Sequence, residues 1–183
     1  MRGLIAVLIP SLRTERWGYI ARSLEQTAEV VFLGSEFDSY ATAIDAGWKM
    51  TDRPYLFLGA DDLVFYEGWA DAALAEMKGD VRVVGTNDLH NVFVRDGLHA
   101  THSLVDRRYI EEVGGVIDQG PGSFLYGYHH QYTDSEFIET ARARGVFAPC
   151  HEAMVEHLHP DFETREADSV DTRTRKHWQE DWD

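Results

Sequence analysis

Apolar residues cluster in three short runs along the first sixty positions, and polar residues with helical periodicity fill the gaps between them. Residues 4–9 (Leu4, Ile5, Ala6, Val7, Leu8, Ile9) form an unbroken apolar run ended by Pro10. Residues 29–34 and 55–59 repeat the pattern, the last bounded by Pro54 and Gly59. Runs this short are strands buried on both faces. Between them, residues 17–24 place Ile20 and Leu24 on one helical face, and residues 37–50 place Tyr40, Ala41, Ile44 and Trp48 together. Strand, helix, strand, helix, strand predicts a parallel sheet with right-handed crossovers.

The pattern continues less regularly. Residues 68–78 read as a helix with Trp69, Ala73, Leu74 and Met77 inward, and residues 82–85 as a strand. Residues 91–94 and 98–104 read as paired strands around a turn at Arg95-Asp96-Gly97. Residues 106–113 read as a short helix stopped by Gly114-Gly115. Residues 134–144 form a helix with Asp134 as cap at its start and Gly145 just past its end. Residues 146–148 and 153–155 are two late strands. Beyond Pro160 the chain turns charged and polar. The expected organisation is one domain over 1–160 and a charged tail over 161–183, where Trp178 and Trp182 suggest a lid or a self-association segment.

Composition narrows the class. The 183 residues suit one domain with a sizeable core. A formal net charge of -15 argues against a general nucleic-acid surface, which would be basic. Cys150 is the only cysteine, so no disulfide framework exists and a reducing, cytoplasmic setting is expected. The first apolar run is too short for a membrane span and lacks a signal-peptide cleavage pattern.

The chemistry concentrates after the third run. Asp61 and Asp62 follow its carboxyl end, where ligands bind in open α/β sheets. Adjacent carboxylates repel unless a cation sits between them. A divalent ion, Mg²⁺ or Mn²⁺, is the natural partner and usually brings phosphate oxygens. The plainer role for either residue is to cap the following turn. His157 and His159 lie two apart and share one side of an extended chain, so both could reach one metal. Arg13 could reach a phosphate or a base. The Gly-Pro loop of residues 120–132, with Tyr126, Tyr128 and Tyr132, suits a flexible acceptor loop; His129-His130 point to opposite sides if extended.

In order along the chain, these pieces resemble family 2 glycosyltransferases of the GT-A fold. Val7-Leu8-Ile9-Pro10-Ser11 resembles the first strand and its donor-contacting turn. Residues 30–36 resemble the second strand, with Ser35 and Glu36 in the base- or ribose-touching place. Ala43-Ile44-Asp45-Ala46-Gly47 resembles a helix motif that carries Asn before Gly. Residues 55–63 resemble the strand bearing the Asp-x-Asp metal motif. Asp106-Arg107-Arg108-Tyr109 through Gly114-Gly115-Val116-Ile117-Asp118 is similar to the segment before the acceptor site. Thr133-Asp134-Ser135-Glu136-Phe137 resembles the helix with the catalytic base, and Glu156-His157-Leu158-His159-Pro160 the late histidine motif.

The resemblance implies a single GT-A-like α/β domain: a Rossmann-like, mostly parallel sheet flanked by helices, with a small antiparallel portion on the acceptor side. It implies a hexosyltransferase-type enzyme, inverting and metal-dependent, using a nucleoside-diphosphate sugar, UDP being the common carrier. The acceptor is left open. Asp134, then Glu136, would be the base. Pro10, Ser11, Arg13, Ser35, Glu36, Asp45 and Asp61 would meet the donor nucleotide. Asp62, with His157 or His159, would hold Mn²⁺ or Mg²⁺. Two departures stand out: Gly59-Ala60-Asp61-Asp62 lacks the earlier Asp, and Gly34-Ser35-Glu36 replaces the common Asp-Asp. Two other classes remain: a metal-dependent hydrolase or nucleotidyltransferase, and a non-catalytic sugar-nucleotide or glycan-binding module.

Overall fold

The computed structural model describes residues 3–24, 27–117, 119–124 and 132–175. Tyr126, Tyr128, His129, His130, Trp178 and Trp182, and Asp118 of the Gly114 segment, lie outside the described residues.

The three apolar runs are strands β1 (Ile5–Pro10), β2 (Glu29–Leu33) and β3 (Tyr55–Leu58). β1 pairs in parallel with both others, so it is central and β2 is an edge. Alternation along β1 sorts its side chains onto two faces. Ala6 and Leu8 join one core cluster with Leu56, Ile44 and Phe137. Ile5, Val7 and Ile9 join the other with Phe57, Ile20 and Trp69. Helices cover both faces, which is why the runs are apolar throughout. Helices α1 (Trp17–Leu24) and α3 (Trp69–Glu76) lie over one face. Helices α2 (Tyr40–Gly47), α5 (Arg107–Glu112) and α6 (Thr133–Ala143) lie over the other.

The remaining strands are β4 (Leu63–Phe65), β5 (Val83–Asn87), β6 (Ser103–Asp106) and β7 (Phe147–His157). The seven-stranded sheet has the order β2-β1-β3-β6-β5-β7-β4. β1, β2, β3, β5 and β7 run one way; β6, between β3 and β5, and β4, at the far edge, run against them. The sheet is thus mostly parallel in strand direction, as expected, with its antiparallel pairings at β6 and β4.

Local expectations differ at three places. The hairpin expected over residues 91–104 is absent: helix α4 (Val92–Arg95) replaces its first arm, and only β6 is extended. The reason is side-chain capping. The Asp88 carboxylate accepts from the backbone N–H of His90 and Asn91, and the Asn91 side chain accepts from Phe93 N–H, turning the chain into a helix. The two late strands are one long strand, β7, which pairs with β5 through Phe147–Cys150, shifts register between Thr86 and Asn87, and then pairs with β4. The helix cap expected at Asp134 is Tyr132, with φ 63°; Asp134 sits inside the first turn. Gly145 does end the helix, at φ +70°, where a side chain would be strained.

Candidate functional site

The parallel strands deliver their carboxyl ends to one pocket of about 380 Å³, lined by Pro10, Ser11 and Arg13 after β1, Gly34 and Ser35 after β2, and Asp61 and Asp62 after β3. The opposite wall comes from Thr101, His102, Thr133 and Asp134, then His157 and His159. Helix α7 (Ser169–Arg175) closes one side with Val170, Asp171 and Arg173.

The adjacent aspartates are buried, at 6% and 7% exposure, and do different things. Asp61 is fully engaged. Its Oδ2 accepts from Ser11 Oγ at 2.6 Å and its Oδ1 from Arg13 Nη1 at 2.7 Å. Burial pushes its carboxyl up, while Ser11 and Arg13 pull it down. Asp62 is only half engaged. Oδ2 accepts from Arg165 Nη2 at 3.2 Å. Oδ1 has no hydrogen-bond partner and lies 3.4 Å from His157 Nε2. Burial alone would raise this carboxyl, but His157 and Arg165 together hold it well below the usual carboxylate range.

Those atoms test whether a divalent ion fits. Two ligands bound side by side on one octahedral ion, each about 2.1 Å from it, lie about 3 Å apart. Asp62 Oδ1 and His157 Nε2 nearly meet that spacing, and the carboxylate oxygen is buried and unpartnered. Among the described residues, no group of three or more His, Cys, Asp and Glu side chains is arranged as a metal cage. The pair would therefore hold an ion with most positions open, as phosphate-binding Mg²⁺ or Mn²⁺ sites are. His159 lies farther out, its ring 5.1 Å from that of His157, and its Nδ1 accepts from Asp161 N–H.

Asp134 faces the pocket from the first turn of α6. Its Oδ1 accepts from Ser135 N–H at 2.8 Å, and its Oδ2 pairs with His99 Nε2 at 3.1 Å. Against the upward push of burial, His99 and the Ser135 N–H hold this carboxyl below its ordinary value.

Other expected donor contacts are not brought to the pocket. Glu36 turns back on its own loop, its Oε1 accepting from Gly34 N–H at 3.2 Å. Asp45 pairs with Lys49 at 2.7 Å and accepts from Phe124 N–H, so it ties α2 to a loop away from the pocket. Glu136 is not part of the lining. Trp69 is core, packed edge-on to Phe57.

Two side chains escape a reading of the sequence: His102, buried at 4% exposure beside Asp62 and His157, and His99, which pairs with Asp134. Of the charged tail expected as a lid or self-association segment, residues 161–175 lie against the pocket. Arg13 donates through Nε and Nη2 to both oxygens of Asp168, and through Nη2 to Asp171. Arg165 donates to both oxygens of Asp171 and to Asp62. A chain of alternating charge, Asp61–Arg13–Asp171–Arg165–Asp62, thus links the strand ends to the segment. Arg165 and Asp171 pair locally, but nothing near them marks the pair as part of the site, because the contacts that tie it there, to Asp62 and Arg13, lie more than a hundred positions away.

A pocket at the carboxyl ends of the parallel strands, floored by paired aspartates, lies where open α/β folds place their ligand sites. Solved structures narrow the fold to the GT-A type. The catalytic domain of Drosophila β1,4-galactosyltransferase 7, in complex with xylobiose, is similar at TM-score 0.54 and 17% identity, covering 94% of this chain and 79% of that one. Glucosyl-3-phosphoglycerate synthase from Mycobacterium tuberculosis, in complex with Mn²⁺, UDP-glucose and phosphoglyceric acid, is similar at TM-score 0.62 and 11% identity, covering 94% and 76%. No protein-family model and no curated protein sequence matches the chain. At these identities the likeness shows the fold: the chain has the GT-A architecture. No helix among the described residues is long and apolar enough to cross a membrane.

Proposed function

We propose that this protein is a metal-dependent glycosyltransferase that moves a sugar from a nucleoside-diphosphate donor, UDP-linked by preference, to an acceptor hydroxyl with inversion. The observation that carries the reading is Asp62: buried beside the Ser11–Arg13 turn, with one oxygen unpartnered and 3.4 Å from His157. It gains support from Mn²⁺ and UDP-glucose in a solved structure of the same fold.

In this reading Ser11, Arg13 and Ser35 line the donor side of the pocket, and Asp61 holds the Ser11–Arg13 turn in place. Asp62 and His157 would hold the ion. When bound, the ion stabilises charge on the leaving diphosphate as a Lewis acid. Asp134 accepts the proton of the acceptor hydroxyl as that oxygen bonds to the anomeric carbon and the diphosphate leaves. The contact with His99 lowers the basicity of Asp134 but keeps it ionised and fixed in place.

Calorimetry tests the reading. UDP, GDP, TDP and CDP are titrated into the protein with Mn²⁺ and again with EDTA. The expected result is tight binding of one nucleotide that collapses with EDTA and in Asp62→Ala. No binding of any nucleotide, or binding unaffected by both EDTA and Asp62→Ala, overturns it.

A further inference from the structure

The charge of the pocket is poorly matched to an anionic donor. Among the described residues, six carboxylates line it: Asp38, Asp61, Asp62, Asp134, Asp161 and Asp171. Three guanidiniums stand against them, those of Arg13, Arg173 and Arg175. A nucleoside diphosphate carries several negative charges. A cleft lined mostly by carboxylates repels it, because low-dielectric walls focus their field. A divalent ion at Asp62 would offset part of that repulsion. The rest calls for a cation that is free to turn toward phosphate.

Two of the three arginines are already committed. Arg13 gives Nη1 to Asp61 at 2.7 Å, Nε to Asp168 at 2.7 Å, and Nη2 to Asp168 and Asp171 at 2.9 Å each. All three of its nitrogens face carboxylates, and its side chain is only 8% exposed. Arg175 pairs with Asp161. Arg173 is exposed and, among the described residues, makes no hydrogen bond and no ion pair.

Helix α7 sets Arg173 at the pocket wall. Val170, Arg173 and Thr174 are three and four positions apart, which puts them on one helical face, and all three line the pocket. The helix is tied down by its acidic residues. Asp168, just before it, holds Arg13, and Asp171, within it, holds Arg13 and Arg165. The same ion pairs that use up Arg13 thus bring an uncommitted guanidinium to the pocket.

We infer that Arg173 is a donor-binding residue: its guanidinium, in place of that of Arg13, donates to oxygens of the donor's diphosphate. The inference rests on the proposed reading of the pocket as a nucleotide-sugar site. Arginine suits the task, because its planar fork of N–H groups matches phosphate oxygens and stays charged. The segment after Pro160 then has a divided role, its aspartates anchoring it and Arg173 meeting the ligand.

Calorimetric titration of UDP in the presence of Mn²⁺ tests this, with wild type, Arg173→Gln, Arg173→Lys and Arg175→Gln compared at low salt and at about 0.3 M salt. Arg173→Gln should weaken UDP binding about tenfold at low salt, the scale of one hydrogen bond to a charged group. Arg173→Lys should recover part of that loss. Arg175→Gln should stay within about threefold of wild type, as its exposed pair with Asp161 contributes little. High salt should shrink the Arg173→Gln effect, because screening weakens an exposed ionic contact. UDP affinity in Arg173→Gln within about twofold of wild type overturns the inference alone. So does an equal loss in Arg175→Gln, which would reduce the effect to net charge, or a loss that salt leaves unchanged. A wild type that binds no UDP with Mn²⁺ overturns the donor reading and this inference with it.

Discussion

Replacing Asp171 with Ala should release the segment after Pro160 without unfolding the domain. Among residues 160–175, Asp171 is the only buried one, so apolar burial contributes little to docking. Charge does the holding. Asp171 accepts from Arg165 Nη1 at 2.6 Å, Arg165 Nη2 at 2.7 Å, Arg13 Nη2 at 2.9 Å and Asp168 N–H at 2.8 Å. Removing one partner from a buried ion pair costs about 3–5 kcal/mol, because the charges left behind are uncompensated. Here the chain has a cheaper escape. The segment can swing away and rehydrate Arg165, so the cost appears as local opening rather than global unfolding. At about 1.4 kcal/mol per factor of ten, a loss of about 3 kcal/mol raises the open population about a hundredfold. Trypsin reads it directly, since Arg165 and Arg173 are cleavage sites inside the segment. The expected result is cleavage there about a hundredfold faster in Asp171→Ala, with the thermal transition of the rest little changed. Asp161→Ala supplies the contrast: its pair with Arg175 is about half exposed and should contribute about 0–1 kcal/mol. Cleavage of Asp171→Ala within threefold of wild type would refute the view that these ion pairs hold the segment.

Acid should loosen the same contacts. Asp171 is held well below the usual carboxylate value by its hydrogen bonds to Arg165, and Asp168 is held below it chiefly by Arg13. Carboxyls lowered on folding contribute fully above their unfolded pKa, about 3.9, and lose that contribution as pH falls through the folded values. Amide exchange over residues 160–175 should thus be as slow at pH 5 as at pH 7, after correction for intrinsic rates, and rise below about pH 4. Loosening already at pH 6 would count against the carboxylates. For the chemistry, Asp134→Asn should leave donor binding within about twofold and lower transfer by about 10²–10⁴-fold, the range for losing a general base. Near-normal transfer by that variant would leave Asp134 a structural residue of the α6 start.

Local patterns carry local facts. The runs at β1, β2 and β3 were legible because a strand covered on both faces must be apolar along its length. The faces of α1, α2 and α6 were legible because one side of each helix meets the sheet. Asp61 and Asp62 stood out for the same reason: an acidic pair just past a buried strand lies at the end where ligands bind. Partners between distant segments were not legible. The Asp88 and Asn91 side chains turn residues 92–95 helical where alternation alone suggested a strand. Whether residues 147–157 make one strand or two depends on β5 and β4 offering edges in succession.

What the sequence by itself determined is therefore the α/β alternation and the place of the acidic pair, since periodicity and strand ends are properties of neighbouring residues. Tertiary structure alone decided which carboxylate is engaged and which is open. Ser11 and Arg13 occupy Asp61, while His157 and Arg165, about a hundred residues further along, flank Asp62. It also placed His102 beside His157, Asp134 against His99, and the charged residues 161–175 against the pocket. The protonation and metal affinity of a buried carboxylate depend on the few ångströms around it, and the folded chain fills that space from segments that the linear order keeps far apart.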